Sequence, residues 1–137
     1  MSLFVDTSVW YTAADSDDVD NDVAMRVLSL ERSLLTTDHV LVETWRLLRH
    51  RVGRGAAETF LAKILDGLAD VEDVVYPDIQ SALQIGVEYP DQDFSLVDRT
   101  SFVVMQRLGV RRVATFDRHF SVYRFGLGRK QAFTVVK

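Results

Sequence analysis

The stretch Leu3-Phe4-Val5-Asp6-Thr7-Ser8 decides the fold. Its first three residues form a short apolar run with β-branched and aromatic members, which predicts a strand buried on both faces. The run stops at the carboxylate of Asp6, and two hydroxyl residues follow it, as at the start of a helix. We therefore expect Asp6 at the carboxyl end of a buried strand, where ligands bind in open α/β sheets. Asp6 could also be a plain helix cap, and only the other acids of the chain decide between the two interpretations.

The composition is that of one globular domain. The chain has 137 residues, of which 47% are hydrophobic and 26% charged, so we expect a single domain over residues 1–137 with its own core. It has no cysteine, which excludes a disulfide framework, a thiolate zinc site and a cysteine nucleophile. A charge interrupts the first apolar run after three residues, so we expect no secretory signal, no membrane span and a cytoplasmic location.

The charged residues are unevenly distributed. Twenty acids stand against sixteen bases, and the net charge of −4 argues against a broadly basic surface for nucleic acid. Thirteen of the bases are arginine, the side chain suited to bidentate phosphate contacts. Basic residues cluster at positions 46–54 and 107–130, and each cluster is either a phosphate-binding surface or a solvated face.

Apolar runs alternate with helical patterns along the whole chain. After the first strand, we expect strands at residues 33–37, 74–75, 113–116 and 133–136. We expect helices at residues 8–14, 23–32, 38–52, 56–68, 78–89 and 95–108, the last of them apolar almost all round. Strands that alternate with helices predict an α/β fold, a parallel sheet with helices on both faces.

Four acids are expected to converge at one edge of this sheet. Asp6 and Asp117 follow strands, whereas Glu43 and Asp98 lie in the opening turns of helices that begin at the same edge. Each acid also has a structural explanation of its own. Asp98 stands three residues after Ser95, the spacing of a capping box, and Glu43 could pair with an arginine of its own helix.

The crowding of four carboxylates favours a metal site. Without a cation, their repulsion would force some of them to bind protons at neutral pH. A ligand set of oxygens, with no cysteine and no evident histidine pair, points to Mg²⁺ or Mn²⁺ rather than Zn²⁺. One bound ion, or two ions roughly 3.5–4 Å apart, would activate a water molecule for attack on a phosphodiester and stabilise the leaving oxygen.

Four short motifs surround these acids: Asp-Thr-Ser at 6–8, Val-Leu-Val-Glu-Thr at 40–44, Phe-Ser-Leu-Val-Asp-Arg-Thr-Ser-Phe at 94–102 and Ala-Thr-Phe-Asp at 114–117. Together they resemble the PIN-domain ribonucleases, and most closely the VapC toxins of VapB–VapC modules. The resemblance covers essentially the whole chain. It implies a three-layer α/β/α sandwich with a five-stranded parallel sheet. Family members often carry another acid two residues after the last Asp, where this chain has His119, so we expect a second ion to be held less firmly than the first.

The resemblance also implies an activity and partners. It implies a Mg²⁺- or Mn²⁺-dependent endoribonuclease with Asp6, Glu43, Asp98 and Asp117 as metal ligands. An RNA substrate, a homodimer and neutralisation by a cognate VapB-type antitoxin are implied in the same way.

Five residues near the predicted edge are candidates for supporting roles. Thr7 and Ser8 could hydrogen-bond a ligating carboxylate or cap the first helix. Asp93 could join the site or be solvated in its loop. Arg118 and His119 could hold the scissile phosphate or lie on the surface.

Two other function classes stay open at this point. A phospho-acceptor receiver domain is also five-stranded, but it needs adjacent acids after its first strand and a lysine after its last. Here Thr7 follows Asp6, and lysines stand only at positions 63, 130 and 137. A catalytically silent PIN-like scaffold that acts through protein contacts is the second alternative.

Overall fold

The computed structural model describes residues 2–137 and contains a five-stranded, all-parallel sheet with the strand order β3-β2-β1-β4-β5. The strands are β1 (Leu3–Val5), β2 (Leu34–Thr37), β3 (Asp70–Glu72), β4 (Arg112–Ala114) and β5 (Thr134–Val136). Strand order and direction place the carboxyl ends of β1 and β4 side by side at the centre of one edge.

Helices cover the sheet and complete a three-layer α/β/α sandwich, as predicted. They are α1 (Thr7–Ala14), α2 (Asn21–Ser29), α3 (Asp38–Arg51), α4 (Arg54–Lys63), α5 (Tyr76–Glu88), α6 (Leu96–Leu108) and α7 (His119–Val122). A π-helical turn (Ile64–Leu68) follows α4, and a 3₁₀ turn (Leu127–Arg129) precedes β5. Within residues 2–137, none of the helices has the length and apolar character needed to cross a membrane.

The central strands β1 and β4 are the most buried part of the sheet. Each residue of β1 is 0% exposed, as expected for an apolar run covered on both faces. Its register with β4 pairs Val5 with Ala114, so the residues that follow the two strands, Asp6 and Thr115, meet at the edge.

An aromatic cluster packs beneath the segments that carry the later acids. Phe102 of α6 stacks on Tyr123 with a ring-centroid distance of 4.4 Å and meets Phe120 of α7 edge-on at 5.0 Å. Phe94, just before α6, packs edge-on against Phe102 at 5.3 Å. Buried aromatic pairs of this kind contribute about 0.5–1.5 kcal/mol beyond the area that they bury. They fix the start of α6 against α7.

The prediction of a third strand at Val74-Val75 is wrong. The strand is Asp70–Glu72, which pairs with residues 35–37 of β2 at the edge of the sheet. Its pairing is made by backbone groups, and its one apolar residue, Val71, stands between two acids, so the strand gives no apolar run to read. The Val74 amide instead donates to Asp38 Oδ1 at 3.0 Å, and Val75 is the N-cap of α5.

Several helix boundaries also differ from the prediction. The helix expected over residues 56–68 ends at Lys63, and Gly67, with a φ of 102°, interrupts the π-helical turn that follows. The helix expected from Asp78 begins two residues earlier, because Pro77 is compatible with a first helical turn. The short α7 follows directly after Arg118 and had no periodic signal in the sequence.

Candidate active site

Asp6 occupies the centre of the candidate site. Its amide donates to the Ala114 carbonyl at 3.1 Å, which continues the pairing of β1 with β4 by one residue. Its Oδ2 accepts hydrogen bonds from Ser8 Oγ at 3.1 Å and Thr115 Oγ1 at 2.9 Å. Although Asp6 is at the N-cap position of α1, its side chain makes no capping hydrogen bond. The interpretation of Asp6 as a plain helix cap is therefore wrong.

Thr115 connects two of the acids. Its hydroxyl donates to Asp6 and accepts from the Asp117 amide at 2.9 Å, and the residue is only 1% exposed. The Ser8 hydroxyl likewise accepts from the Phe116 amide at 2.9 Å. Thr115 was absent from the predicted site residues. The only sequence signal for a role of Thr115 in the site is its place directly after β4, the strand that pairs with β1.

Asp98 is held by the start of α6. The Asp98 amide donates to Ser95 Oγ at 3.0 Å, and the Ser95 amide donates to Asp98 Oδ2 at 3.1 Å, which completes the predicted capping box. The same Oδ2 lies 2.8 Å from His119 Nδ1. The capping box does not exclude a role in the site, because Asp98 faces His119 as well as its own helix terminus.

Asp117 and His119 complete the cluster. Asp117 Oδ1 accepts from the His119 amide at 2.9 Å and lies 3.4 Å from His119 Nδ1. One possible ligand atom from each of Asp98, Asp117 and His119 lies within 4.8 Å of the others. Among residues 2–137, Asp98 Oδ1 and Asp117 Oδ2 have no hydrogen-bond partner. One oxygen of each carboxylate thus accepts hydrogen bonds, and the other makes none.

The electrostatics of the buried acids reflect their crowding. Burial, and then the charge of Asp98, raises the pKa of Asp6 to about 7, although hydrogen bonds from Thr115, Thr7 and Ser8 oppose the shift. Burial is also the main cause that raises the pKa of Asp98, and the charge of Asp117 adds to it. A cation between these groups would favour their ionised forms. The donor set, carboxylate oxygens with one imidazole, is chemically suited to a divalent ion.

Glu43 lies at the rim of this cluster. It is half-buried in a groove of about 800 Å³, which is lined by residues of α3 and by Val97 on α6, next to Asp98. Within residues 2–137 its carboxylate makes no hydrogen bond or ion pair, so the alternative of a pair with an arginine of its own helix is not formed. Three of the four predicted acids come together, and Glu43 borders the region without contacting them.

The remaining predicted residues divide into two groups. Ser8 holds Asp6, and His119 joins the cluster, as described above. The Thr7 hydroxyl is buried without a hydrogen-bond partner, so it neither holds a carboxylate nor caps α1, and the hydrogen bond from Thr7 to Asp6 comes from the Thr7 backbone. Asp93 and Arg118 are exposed, and their side chains make no hydrogen bond or ion pair in the part of the chain described.

Comparisons with known proteins agree with this geometry. Residues 3–126 match the PIN domain family. The chain is 36% identical over 124 residues to the 23S rRNA-specific endonuclease VapC20 of Mycobacterium tuberculosis, an alignment that covers 90% of this chain and 95% of the relative. The crystal structure of VapC20, a sarcin-ricin loop cleaving toxin, matches with a TM-score of 0.83 and 34% identity over 88% of this chain and 93% of that one.

Two more distant structures share the fold alone. VapBC2 from Rickettsia felis, bound to a DNA fragment from its promoter, matches with a TM-score of 0.69 and 10% identity over 99% of this chain and 98% of that one. A toxin–antitoxin complex from Klebsiella pneumoniae matches with a TM-score of 0.61 and 12% identity over 98% and 96% of the two chains.

Proposed function

The chain belongs to the PIN-domain family and, within it, to the VapC toxin ribonucleases, and from this premise we propose that it is an endoribonuclease dependent on Mg²⁺ or Mn²⁺. The observation that carries the metal dependence is the group formed by Asp98, Asp117 and His119, beside which burial and the charge of Asp98 raise the pKa of Asp6 to about 7. Such crowding is destabilising unless a cation or bound protons offset it. Family membership also sets aside the receiver-domain alternative.

We propose Asp6, Asp98 and Asp117 as the inner metal ligands and Glu43 as a fourth, from the rim. Glu43 is partly buried and unpaired, and Val97, which lines its groove, is the chain neighbour of Asp98. A glutamate side chain has the flexibility to approach an ion that the inner ligands hold.

The residues around the acids preorganise them. A divalent cation supplies positive charge beside the phosphate and lowers the pKa of a water molecule. Ser8 and Thr115 hold Asp6 in place. The Ser95 amide holds Asp98. Because these hydrogen bonds orient the carboxylates, the acids lose little conformational freedom when a cation binds.

The groove beside Glu43 is the proposed path of the RNA backbone. His39, Arg46, Arg49 and His50 line it on α3, and both arginines are exposed without an ion pair within residues 2–137. Unpaired arginines suit bidentate contacts with phosphate. We propose 23S rRNA, and first its sarcin-ricin loop, as the substrate, because VapC20 acts there.

The test is the mapping of 5′ ends in purified 23S rRNA after incubation with the protein and Mn²⁺. We expect one dominant cut with a 5′-phosphate and a 3′-hydroxyl, absent with a chelator and absent for Asp6→Asn. Thr36→Val is the matched control, because the buried Thr36 hydroxyl donates to the Val5 carbonyl and accepts from Trp10 Nε1 but makes no hydrogen bond with an acid. Equal cutting by wild type and Asp6→Asn would remove the enzymatic proposal, and no cutting by wild type on any RNA would favour the silent scaffold.

We propose a VapB-type antitoxin as the protein partner. An apolar groove of about 630 Å³ lies between α1, α2 and α4 and is lined by Trp10, Met25, Leu28 and Phe60, with Met25 53% exposed. Such a groove fits the apolar face of an antitoxin segment. Met25→Glu should weaken the complex with the cognate antitoxin, measured by calorimetry, whereas the exposed Arg32→Glu should not.

We also propose a homodimer. The exposed face of α5 carries an apolar stripe at helical spacing, with Tyr76 71%, Leu83 66% and Val87 64% exposed. A stripe of this kind marks an interface more often than a free surface. Light scattering should show a dimer for wild type and a monomer for Leu83→Glu, and an unchanged dimer would place the interface elsewhere.

A further inference from the structure

The ring of His119 lies between two carboxylates of the site. Its Nδ1 is 2.8 Å from Asp98 Oδ2 and 3.4 Å from Asp117 Oδ1. Among residues 2–137, these three side chains form the single group of three possible ligands with atoms within 4.8 Å of one another. The first distance is that of a hydrogen bond to Asp98, and the second accompanies the turn in which the His119 amide donates to Asp117 Oδ1, so that Nδ1 faces both carboxylates.

The two distances fit a shared cation. Ligands held about 2.1 Å from an octahedral ion are separated from their neighbours by about 3.0 Å. The two separations, 2.8 and 3.4 Å, lie on either side of that value. An ion can therefore replace the hydrogen bond between His119 and Asp98 with only small side-chain shifts.

The ring is also held in this orientation. The edge of the imidazole packs against Phe94 at a centroid distance of 5.2 Å, and the side chain is only 19% exposed. The His119 amide donates to Asp117 Oδ1, which fixes the backbone at the start of α7. A histidine that is held in this way loses little conformational entropy when it binds a metal.

We propose that His119 is a direct ligand of the divalent cation through Nδ1, and that this nitrogen makes the site prefer Mn²⁺ over Mg²⁺. The inference rests on the proposed function, which places a cation at Asp98 and Asp117, and adds the ligand that sets its identity. For this role the ring proton resides on Nε2. Imidazole nitrogen suits transition metals, whereas Mg²⁺ binds oxygen almost exclusively.

The test is pulsed electron paramagnetic resonance of Mn²⁺ bound to the full chain, with calorimetry of Mn²⁺ and Mg²⁺ binding. Directly bound imidazole gives a nitrogen modulation of the electron spin echo. The chain has three histidines, so His39→Gln in the groove is the matched control for His119→Gln. We expect the modulation in wild type and in His39→Gln, and its loss in His119→Gln. His119→Gln should also bind Mn²⁺ about tenfold more weakly, with a smaller change for Mg²⁺.

The outcomes separate this proposal from the proposed function. Bound Mn²⁺ without nitrogen modulation in wild type would overturn the role of His119 and leave the metal-dependent nuclease standing. Tighter Mn²⁺ binding by His119→Gln would identify His119 as a positive counter-ion and also overturn the role. No Mn²⁺ binding by wild type would overturn both. If His119→Gln does not fold, the double variant His39→Gln/His50→Gln labelled with ¹⁵N-histidine gives the answer, because His119 is its one remaining histidine and only a ligating histidine changes the modulation pattern.

Discussion

Replacing Thr115 by valine should weaken metal binding although the residue touches no metal. The substitution keeps the branched shape and removes the hydroxyl that donates to Asp6 Oδ2 and accepts from the Asp117 amide, both at 2.9 Å. The residue is buried, so water does not replace the lost hydrogen bonds. Two of the proposed ligands lose their orientation through one change.

The magnitude follows from the charged hydrogen bond. A hydrogen bond to an ionised group contributes about 1.5–3 kcal/mol, which corresponds to a factor of about 10–100 in affinity. The same range is typical when a partner of a metal ligand is removed. The Thr115 hydroxyl also lowers the pKa of Asp6, so its loss moves that pKa further above about 7. More of Asp6 is then protonated at neutral pH, which weakens binding further.

Calorimetry with Mn²⁺ at pH 7.5 on wild type, Thr115→Val, Thr115→Ser and Thr36→Val measures the effect. We expect a 10- to 100-fold loss for Thr115→Val, near wild-type affinity for Thr115→Ser, and no change for Thr36→Val. Circular dichroism confirms that each variant is folded. Wild-type affinity in a folded Thr115→Val would refute the idea that this hydroxyl organises the site.

Three further predictions concern pH, RNA and stability. The pKa of Asp6 is higher in the folded than in the unfolded protein, so the stabilisation by protonated Asp6 is fully present below about pH 4 and is lost as the pH rises through about 7. The metal-free protein should therefore lose up to about 4 kcal/mol of unfolding free energy by pH 8. Asp6→Asn should make the unfolding free energy depend less on pH. Arg46→Glu should weaken RNA binding and reduce the salt-dependence slope by about 1, whereas Arg26→Glu, outside the groove, should do neither in filter binding. Burial alone raises the pKa of Asp78, but hydrogen bonds from Arg107 and the Val75 amide outweigh it and leave that pKa below its ordinary value. Arg107→Met should therefore lower the free energy of unfolding in urea by about 1–2 kcal/mol above pH 5 and leave the affinity for Mn²⁺ unchanged. If the substitution weakened Mn²⁺ binding more than it lowered stability, the Arg107–Asp78 pair would not be purely structural.

The central part of the fold was predictable because burial on both faces leaves a clear sequence pattern. Leu3 to Val5 are all apolar and all fully buried. The edge strand β3 was not predictable in the same way, since its backbone pairs with β2 while Asp70 and Glu72, on either side of Val71, interrupt any apolar run. The strand predicted at residues 74–75 is instead the segment that leads into α5, in whose first turn Pro77 lies.

The proposed acids were predictable from topology, and their partners were not. Parallel strands bring their carboxyl ends to one edge, which is sufficient to expect Asp6 and Asp117 there. The link through Thr115 depends on the register of β1 with β4, which no local pattern specifies. Glu43 lies at the rim because its position on α3 turns it toward the groove.

Anomalous diffraction at the manganese edge, from crystals of the wild-type protein grown with Mn²⁺ near pH 8, tests the central claim most directly. The account predicts a strong peak within bonding distance of Asp98 and Asp117, with Asp6 facing it. No peak at this edge of the sheet, or a peak bound only to acids elsewhere on the molecule, would contradict it.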